Sequence, residues 1–582
     1  MRRLFVSLCT VCLVTTACPA GDPAEMLPAG AIASVQLNNL ASLIDRVEKA
    51  GLIEAFYSTP QGLELLKRPE FKKALAVKAI VEQQTGMPIL DLAKTLAGGE
   101  VALGMYGKLG AQPDFILTAR VKNSGQWEQF RKRLQPFLDL AEGQVSLSSP
   151  AKGVTLVSIQ KVGSIALGND WLVAGTQAAP TQSVWQRLAA DQNGIDAAKN
   201  TFKALTGDPD YQSVRKQSGD QPVITAYLAT KALKGPLGNR LIPSKMDNPL
   251  ASLWFGGLVE MAARSPAVGA SLSVRENDFD LRVIAPGDLK KLDAGRRALF
   301  PADGKPGANP FPTIPTLIGG MAFDRDIATW YTHREQLLES KALPGFDQFE
   351  TGLANILPGK DFAKDVLSVL GRGITVVAAP QDYSHLDGTP GVKLPGFAVI
   401  IDLAKPKEGS NLLNLFLQTL SAILNIEAGQ QGRQPWVMTS ETHQGVQVTF
   451  ADYLNKPKGK DLPVVNNFTP AAALVGNKYL LCSSKGLCKQ LIDAYTKPAA
   501  ETDSRQPAKA EDWAVSGPRL ADALMLNRGL LEAGGIKNGR TEQQAKEEVQ
   551  VLESALRRVE KVRLGSLSHP WGIEVRLEGN WK

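Results

Sequence analysis

Short apolar runs that end in turn residues recur along the whole chain, separated by stretches in which apolar residues return every three or four positions. Strands and helices should therefore interleave from one end to the other. Two of these runs share one pattern. Residues 164–176 read SIALGNDWLVAGT and residues 473–484 read ALVGNKYLLCSS. In each, an apolar run meets Gly-Asn (Gly168-Asn169, then Gly476-Asn477), followed by a charged residue (Asp170 or Lys478), an aromatic (Trp171 or Tyr479) and a second apolar run. Glycine and asparagine accept positive φ, so both segments predict a β-hairpin.

The other elements fall into two series. In the first, residues 27–37 predict a strand, and Asn38-Asn39 caps a helix with Leu40, Leu43, Ile44 and Val47 on one face and Gly51 at its end. A helix over 71–84, a break at Gly98-Gly99 and strands up to 121 follow. Residues 127–140 predict an amphipathic helix kinked at Pro136. A strand at 153–159, the first hairpin and a helix near 184–189 complete the series. The second runs in the same order: a strand at 316–323, a helix over 327–339, Gly371-Arg372-Gly373 as the break, and a strand at 396–403. A helix over 412–424, a strand at 445–450, the second hairpin and a helix over 487–495 come next. Residues 269–284 and 565–577 close the two series with similar alternating strand pairs.

This repetition predicts a tandem duplication of an α+β domain, with mainly antiparallel, curved sheets packed against helices. The Pro/Gly-rich stretch at 301–315 marks the join, giving a first copy over 21–300 and a second over 316–582. A chain of 582 residues is long enough for two hydrophobic cores.

Residues 1–20 form a leader: Arg2 and Arg3, an apolar stretch from Leu4 to Val14, then small residues. That order is the one of a secretory signal peptide, and the expected location is extracytoplasmic, periplasmic or secreted. Cleavage after Ala20 is one route. The other makes Cys18 a lipid-anchored N-terminus, because Thr15-Thr16-Ala17-Cys18 resembles a lipoprotein box, although the usual leucine three residues before the cysteine is missing. Cys9 and Cys12 leave with the leader, so the later thiols are Cys482 and Cys488. An oxidising compartment allows a disulfide between them, and two small buried side chains are the simpler alternative. No later apolar run approaches membrane-spanning length.

The formal charge of +7 is small for this length, and the basic residues are scattered. Lys456, Lys458 and Lys460 form the densest cluster, in a Pro/Gly loop with no aromatic platform in sequence beside it, so no nucleic-acid partner is expected. His333, His385, His443 and His569 lack metal-ligand spacing, and Walker, dinucleotide and nucleophile-elbow patterns are missing. No metal or cofactor is expected, and no catalytic residue is assigned. The helix over 541–562 carries Val549, Leu552, Leu556 and Val559, a stripe for packing on its own sheet or for a short coiled coil.

One helix differs between the two series. The helix of the first carries Glu128, Arg131, Lys132 and Arg133, whereas residues 411–425 carry no charge. Leu412, Leu413, Phe416, Leu417, Leu420, Ile423 and Leu424 then predict either a helix buried all round or a surface for a lipid or a partner.

The opening LPAGAIASVQLNNLASLID resembles the start of an uncharacterised family of secreted bacterial proteins, with an LPA, strand, Asn-Leu, helix order. The resemblance covers residues 27–45 best and the hairpins at Gly168 and Gly476 next, and it implies a fold without an activity. The expected function is a non-catalytic envelope protein that binds a protein, a lipid or an envelope polymer. The alternatives are an envelope hydrolase with a site between the copies and a purely structural envelope component.

Overall fold

The computed structural model describes residues 23–38, 100–107, 113–120, 145–151, 154–159, 163–168, 171–176, 202–219, 222–233, 245–497 and 507–582, with scattered positions from 44 to 94 and residue 184. The expected leader with Cys9, Cys12 and Cys18, the Gly98-Gly99 break, the helix expected over 127–140 and the turn residues Asn169 and Asp170 lie outside the described residues. So does most of the helices expected over 39–51, 71–84 and 184–189. The chain divides into two compact units, Met1–Leu241 with Ala262–Pro286, and Ile242–Met261 with Gly287–Lys582.

The first unit contains β1 (Ala33–Leu37), β2 (Val101–Tyr106), β3 (Asp114–Arg120), β4 (Val145–Ala151), β5 (Val154–Ile159), β6 (Gly163–Gly168), β7 (Trp171–Gly175), β8 (Ile224–Leu228), β9 (Val268–Val274) and β10 (Asp278–Pro286). Every pairing is antiparallel, in the order β4-β5-β6-β7-β3-β2-β1-β8-β9-β10. β6 and β7 are the arms of the first hairpin, with Gly168 opposite Trp171. Helix α1 (Pro209–Arg215) starts at Asp208, whose side chain accepts from the Asp210 and Tyr211 amides, and it buries Tyr211 and Val214. Val214 lies so close to Gly269 of β9 that any β-carbon there would collide with it. Tyr211, Val214, Tyr227, Ile116 and Leu205 belong to one core cluster.

The second unit contains β11 (Gly319–Asp324), β12 (Leu370–Ala379), β13 (Asp387–Pro390), β14 (Gly396–Leu403), β15 (Trp436–His443), β16 (Val446–Tyr453), β17 (Lys458–Leu462), β18 (Ala471–Val475), β19 (Lys478–Cys482), β20 (Ala508–Ser516), β21 (Val559–His569) and β22 (Gly572–Trp581). The main sheet is again antiparallel, in the order β15-β16-β18-β19-β14-β12-β11-β20-β21-β22. β13 and β17 stand apart as a small parallel pair. Leaving those two out, the path of the chain through the sheet is the same in both units. Residues 301–315 run without helix or strand, and Gly307 bridges to Lys509.

The second hairpin joins β18 to β19 with Val475 opposite Lys478, and Gly476 takes the left-handed conformation at φ 61°. Strand β18 shows why both faces of this sheet are covered. Ala471 and Ala473 join Leu480, Leu487, Leu491 and Ile492 in one core, whereas Ala472 joins Tyr479, Leu403 and Leu417 in another. Successive side chains point to opposite faces, so α2 (Lys485–Tyr495) packs on one side and α3 (Pro406–Gln430) on the other. The Tyr479 hydroxyl donates to Asn414 Oδ1 at 2.8 Å and ties α3 to the sheet.

Three further helices follow β20: α4 (Gly517–Met525), α5 (Arg528–Lys537) and α6 (Glu542–Arg558). α6 opens on a capping box between Thr541 and Gln544, buries Ala545 and Val549, and packs on α4 and α5 as well as on β21. The fold class is α+β, with antiparallel sheets packed against helices.

Candidate ligand-binding site

α3 is not buried all round. Leu412 and Leu417 are in the core, and Leu413, Phe416 and Leu420 are half-buried. Ile423 and Leu424, however, are 44% and 36% exposed, and Ile426 is 65% exposed. The sheet covers one side of the helix only, so an uncharged sequence leaves apolar residues facing outward towards the C-terminal end. Contrary to the expectation that no run after the N-terminal stretch approaches spanning length, α3 is long and apolar enough to cross a membrane, although in this fold its inner side lies on β14, β15, β18 and β19.

Where α3 ends, a cavity of about 860 Å³ opens within the second unit. That volume falls in the range that holds a small molecule. Three pieces of chain build its wall. Leu424, Asn425 and Ala428 come from the last turns of α3. Trp436 and Tyr453 come from the start of β15 and the end of β16, where the two residues sit opposite each other, with ring centroids 6.2 Å apart. Asp387, Lys458 and Leu462 come from the β13–β17 pair, the two strands that interrupt the order shared by the units.

The wall is held in place by hydrogen bonds. Asn425 Nδ2 donates to the Trp436 carbonyl and the Trp436 amide donates to Asn425 Oδ1, each at 2.8 Å. The His385 ring stacks on Tyr453 at 6.4 Å, and its Nε2 donates to the Asn466 carbonyl at 2.8 Å. Desolvation raises the Tyr453 hydroxyl above its ordinary pKa, so it stays protonated as a donor. Lys456 Nζ donates to the Ser384 carbonyl at 2.8 Å, and Lys458 lies 3.9 Å from Asp387. The lining therefore combines apolar and aromatic side chains with three cations, Arg433, Lys456 and Lys458, against one carboxylate, Asp387.

Only Leu424 of the seven candidate helix residues reaches this cavity. An aromatic platform does stand beside the lysine cluster: Tyr453, a near neighbour of Lys456 in sequence, is joined by Trp436 through the β15–β16 register. Trp436 belongs to β15, a strand that the sequence reading passed over. Its signal was the Gln444-Gly445 turn, where both residues take positive φ, 48° and 75°.

The remaining candidates lie elsewhere. Cys482 and Cys488 are free thiols buried in one core cluster, close enough to hydrogen-bond, and burial raises the Cys482 pKa. His333 Nδ1 donates to the Thr329 carbonyl at 2.8 Å, and His443 Nε2 lies 2.7 Å from Asp493. His569 stacks on Trp571 at 4.4 Å and bonds to Glu574 at 3.0 Å. Among the described residues, no group of three or more His, Cys, Asp and Glu side chains is placed to hold a metal.

No protein-family model and no curated protein matches this chain. Solved structures of TP0453 share a weak likeness. Crystal form III is 10% identical with a TM-score of 0.23, over 46% of this chain and 80% of that one. Crystal form IV is 10% identical with a TM-score of 0.24, over 45% and 81% respectively. At these scores the likeness defines neither the function nor the site.

Proposed function

We propose that this chain is an extracytoplasmic binding protein whose second unit holds a small, partly apolar molecule in the cavity at the end of α3. The observation that carries the reading is the wall itself: about 860 Å³ enclosed by Leu424, Ala428, Trp436 and Tyr453, with polar groups at a few fixed points. Ligand sites commonly have this composition. The leader in residues 1–20 and the resemblance of residues 27–45 support export, with Cys18 as the residue a lipid anchor would use. The shared strand order supports descent of the two units from one duplicated module, with β13 and β17 as additions that help wall the cavity of the second.

The test uses a neutral fluorescent probe, N-phenyl-1-naphthylamine, titrated into the protein. The expected result is a saturable rise with one site per chain, lost when Trp436→Ala or Leu424→Asp breaks the apolar wall. No saturable rise, or a rise indifferent to both changes, overturns the proposal.

A further inference from the structure

We infer that the ligand of this cavity carries an acidic head group, a carboxylate or a phosphate, held by the Arg433 guanidinium. This rests on the cavity being a ligand site and adds the chemical class of what it takes.

Arg433 lines the cavity with its side chain 31% exposed, yet its guanidinium makes no hydrogen bond, and Nε is buried without a partner. Five N–H donors in a planar fork are an unusual thing to leave unengaged beside an apolar wall. Its nearest acid, Glu427, stands 3.7 Å from Nη2, beyond hydrogen-bond reach, and is 53% exposed. Such a pair is screened by water and holds the arginine weakly. The backbone is more firmly placed. Gly432 takes φ 65° as α3 ends, and the Arg433 amide then donates to the Ala428 carbonyl at 2.8 Å.

The other two cations are placed differently. Lys456 Nζ is bonded to the Ser384 carbonyl, and Lys458, 3.9 Å from Asp387, is 79% exposed to water. Arg433 is the lining cation with a buried, unpartnered N–H, and planar carboxylate and phosphate groups match its fork. The C-terminal end of α3 opposes an anion, but a helix end shifts binding only about twofold to fivefold. A charge-assisted hydrogen bond gives about tenfold to hundredfold. Trp436, Tyr453 and Leu424 would then meet the apolar remainder of the ligand.

The experiment is competition against bound N-phenyl-1-naphthylamine by molecules that share one chain and differ in the head: decanoate, decyl phosphate and 1-decanol. Decanoate or decyl phosphate should displace the probe at about tenfold to hundredfold lower concentration than 1-decanol. Arg433→Gln should abolish that preference, with every competitor read against the variant's own probe affinity, and Arg433→Lys should keep part of it. The stronger of the two acids tells a free-acid head from a phospholipid-type head. Equal competition by 1-decanol, or an acid preference unchanged in Arg433→Gln, would overturn the inference. Failure of the probe itself to bind would instead strike at the cavity as a ligand site.

Discussion

Asn425 and Trp436 exchange two hydrogen bonds, side chain to backbone in both directions, each 2.8 Å long. One residue is in the last turns of α3 and the other opens β15, so the pair joins the helix to the strand across one wall of the cavity. Asn425→Ala removes both bonds and leaves the backbone groups of Trp436 without these partners. A cost of about 1–3 kcal/mol is expected in urea unfolding, together with weaker probe binding. An Asn425→Ala protein that binds and unfolds like the parent would show that the wall does not depend on this pair.

How far this arrangement was readable follows from where its residues lie. The hairpin at Gly476 was legible because its turn chemistry is local, and so was the interleaving of strands and helices. The cavity was not. Tyr453 and Lys456 are near neighbours in sequence, but Trp436 reaches Tyr453 only through the β15–β16 register, and Asp387 reaches Lys458 only through the β13–β17 pairing. The charge-free helix posed a different difficulty. Its composition distinguishes apolar from polar positions, but not which of two apolar sides the sheet will cover. Leu417 is buried and Ile426 exposed for that reason alone.

A buried ion pair fastens the centre of the second unit. Arg325 and Glu511 have side chains only 5% and 8% exposed. Arg325 also donates to the Leu299, Asp324 and Ala510 carbonyls at 2.9, 3.0 and 2.9 Å. Arg325→Met should cost about 3–5 kcal/mol in urea unfolding, because Glu511 and the carbonyls lose their donors. Adding Glu511→Leu should recover only part of this, since those carbonyls stay unpaired. Full recovery would show that the carboxylate alone sets the cost.

Stability should also depend on pH through Glu441 of β15. Its carboxylate lies 2.5 Å from Lys489 and 3.7 Å from Lys485 of α2. Lys489 foremost, then Lys485, hold its pKa below the usual 4.5. A depressed carboxylate stabilises the fold above its unfolded value and loses that contribution as the pH falls below it. Glu441→Gln should therefore cost about 1 kcal/mol or less at neutral pH and reduce the loss of stability on acidification. An unchanged acid limb in thermal unfolding between pH 6 and about pH 3 would contradict this.

The two core thiols give a countable outcome. A chain beginning at residue 21 contains only Cys482 and Cys488, both buried. Ellman's reagent should find no reactive thiol in the folded protein and two after denaturation. None after denaturation would mean that the pair had closed into a disulfide.

The central claim is that a ligand sits against the aromatic wall of the second unit's cavity, and Trp436 reports on it most directly. The protein labelled with 5-fluorotryptophan has nine indole signals, with that of Trp436 assigned from Trp436→Phe. On saturation with decanoate, the fluorine resonance of Trp436 should shift while those of Trp171, Trp330 and Trp571 stay in place. A Trp436 signal that does not move as ligand is added would contradict the account.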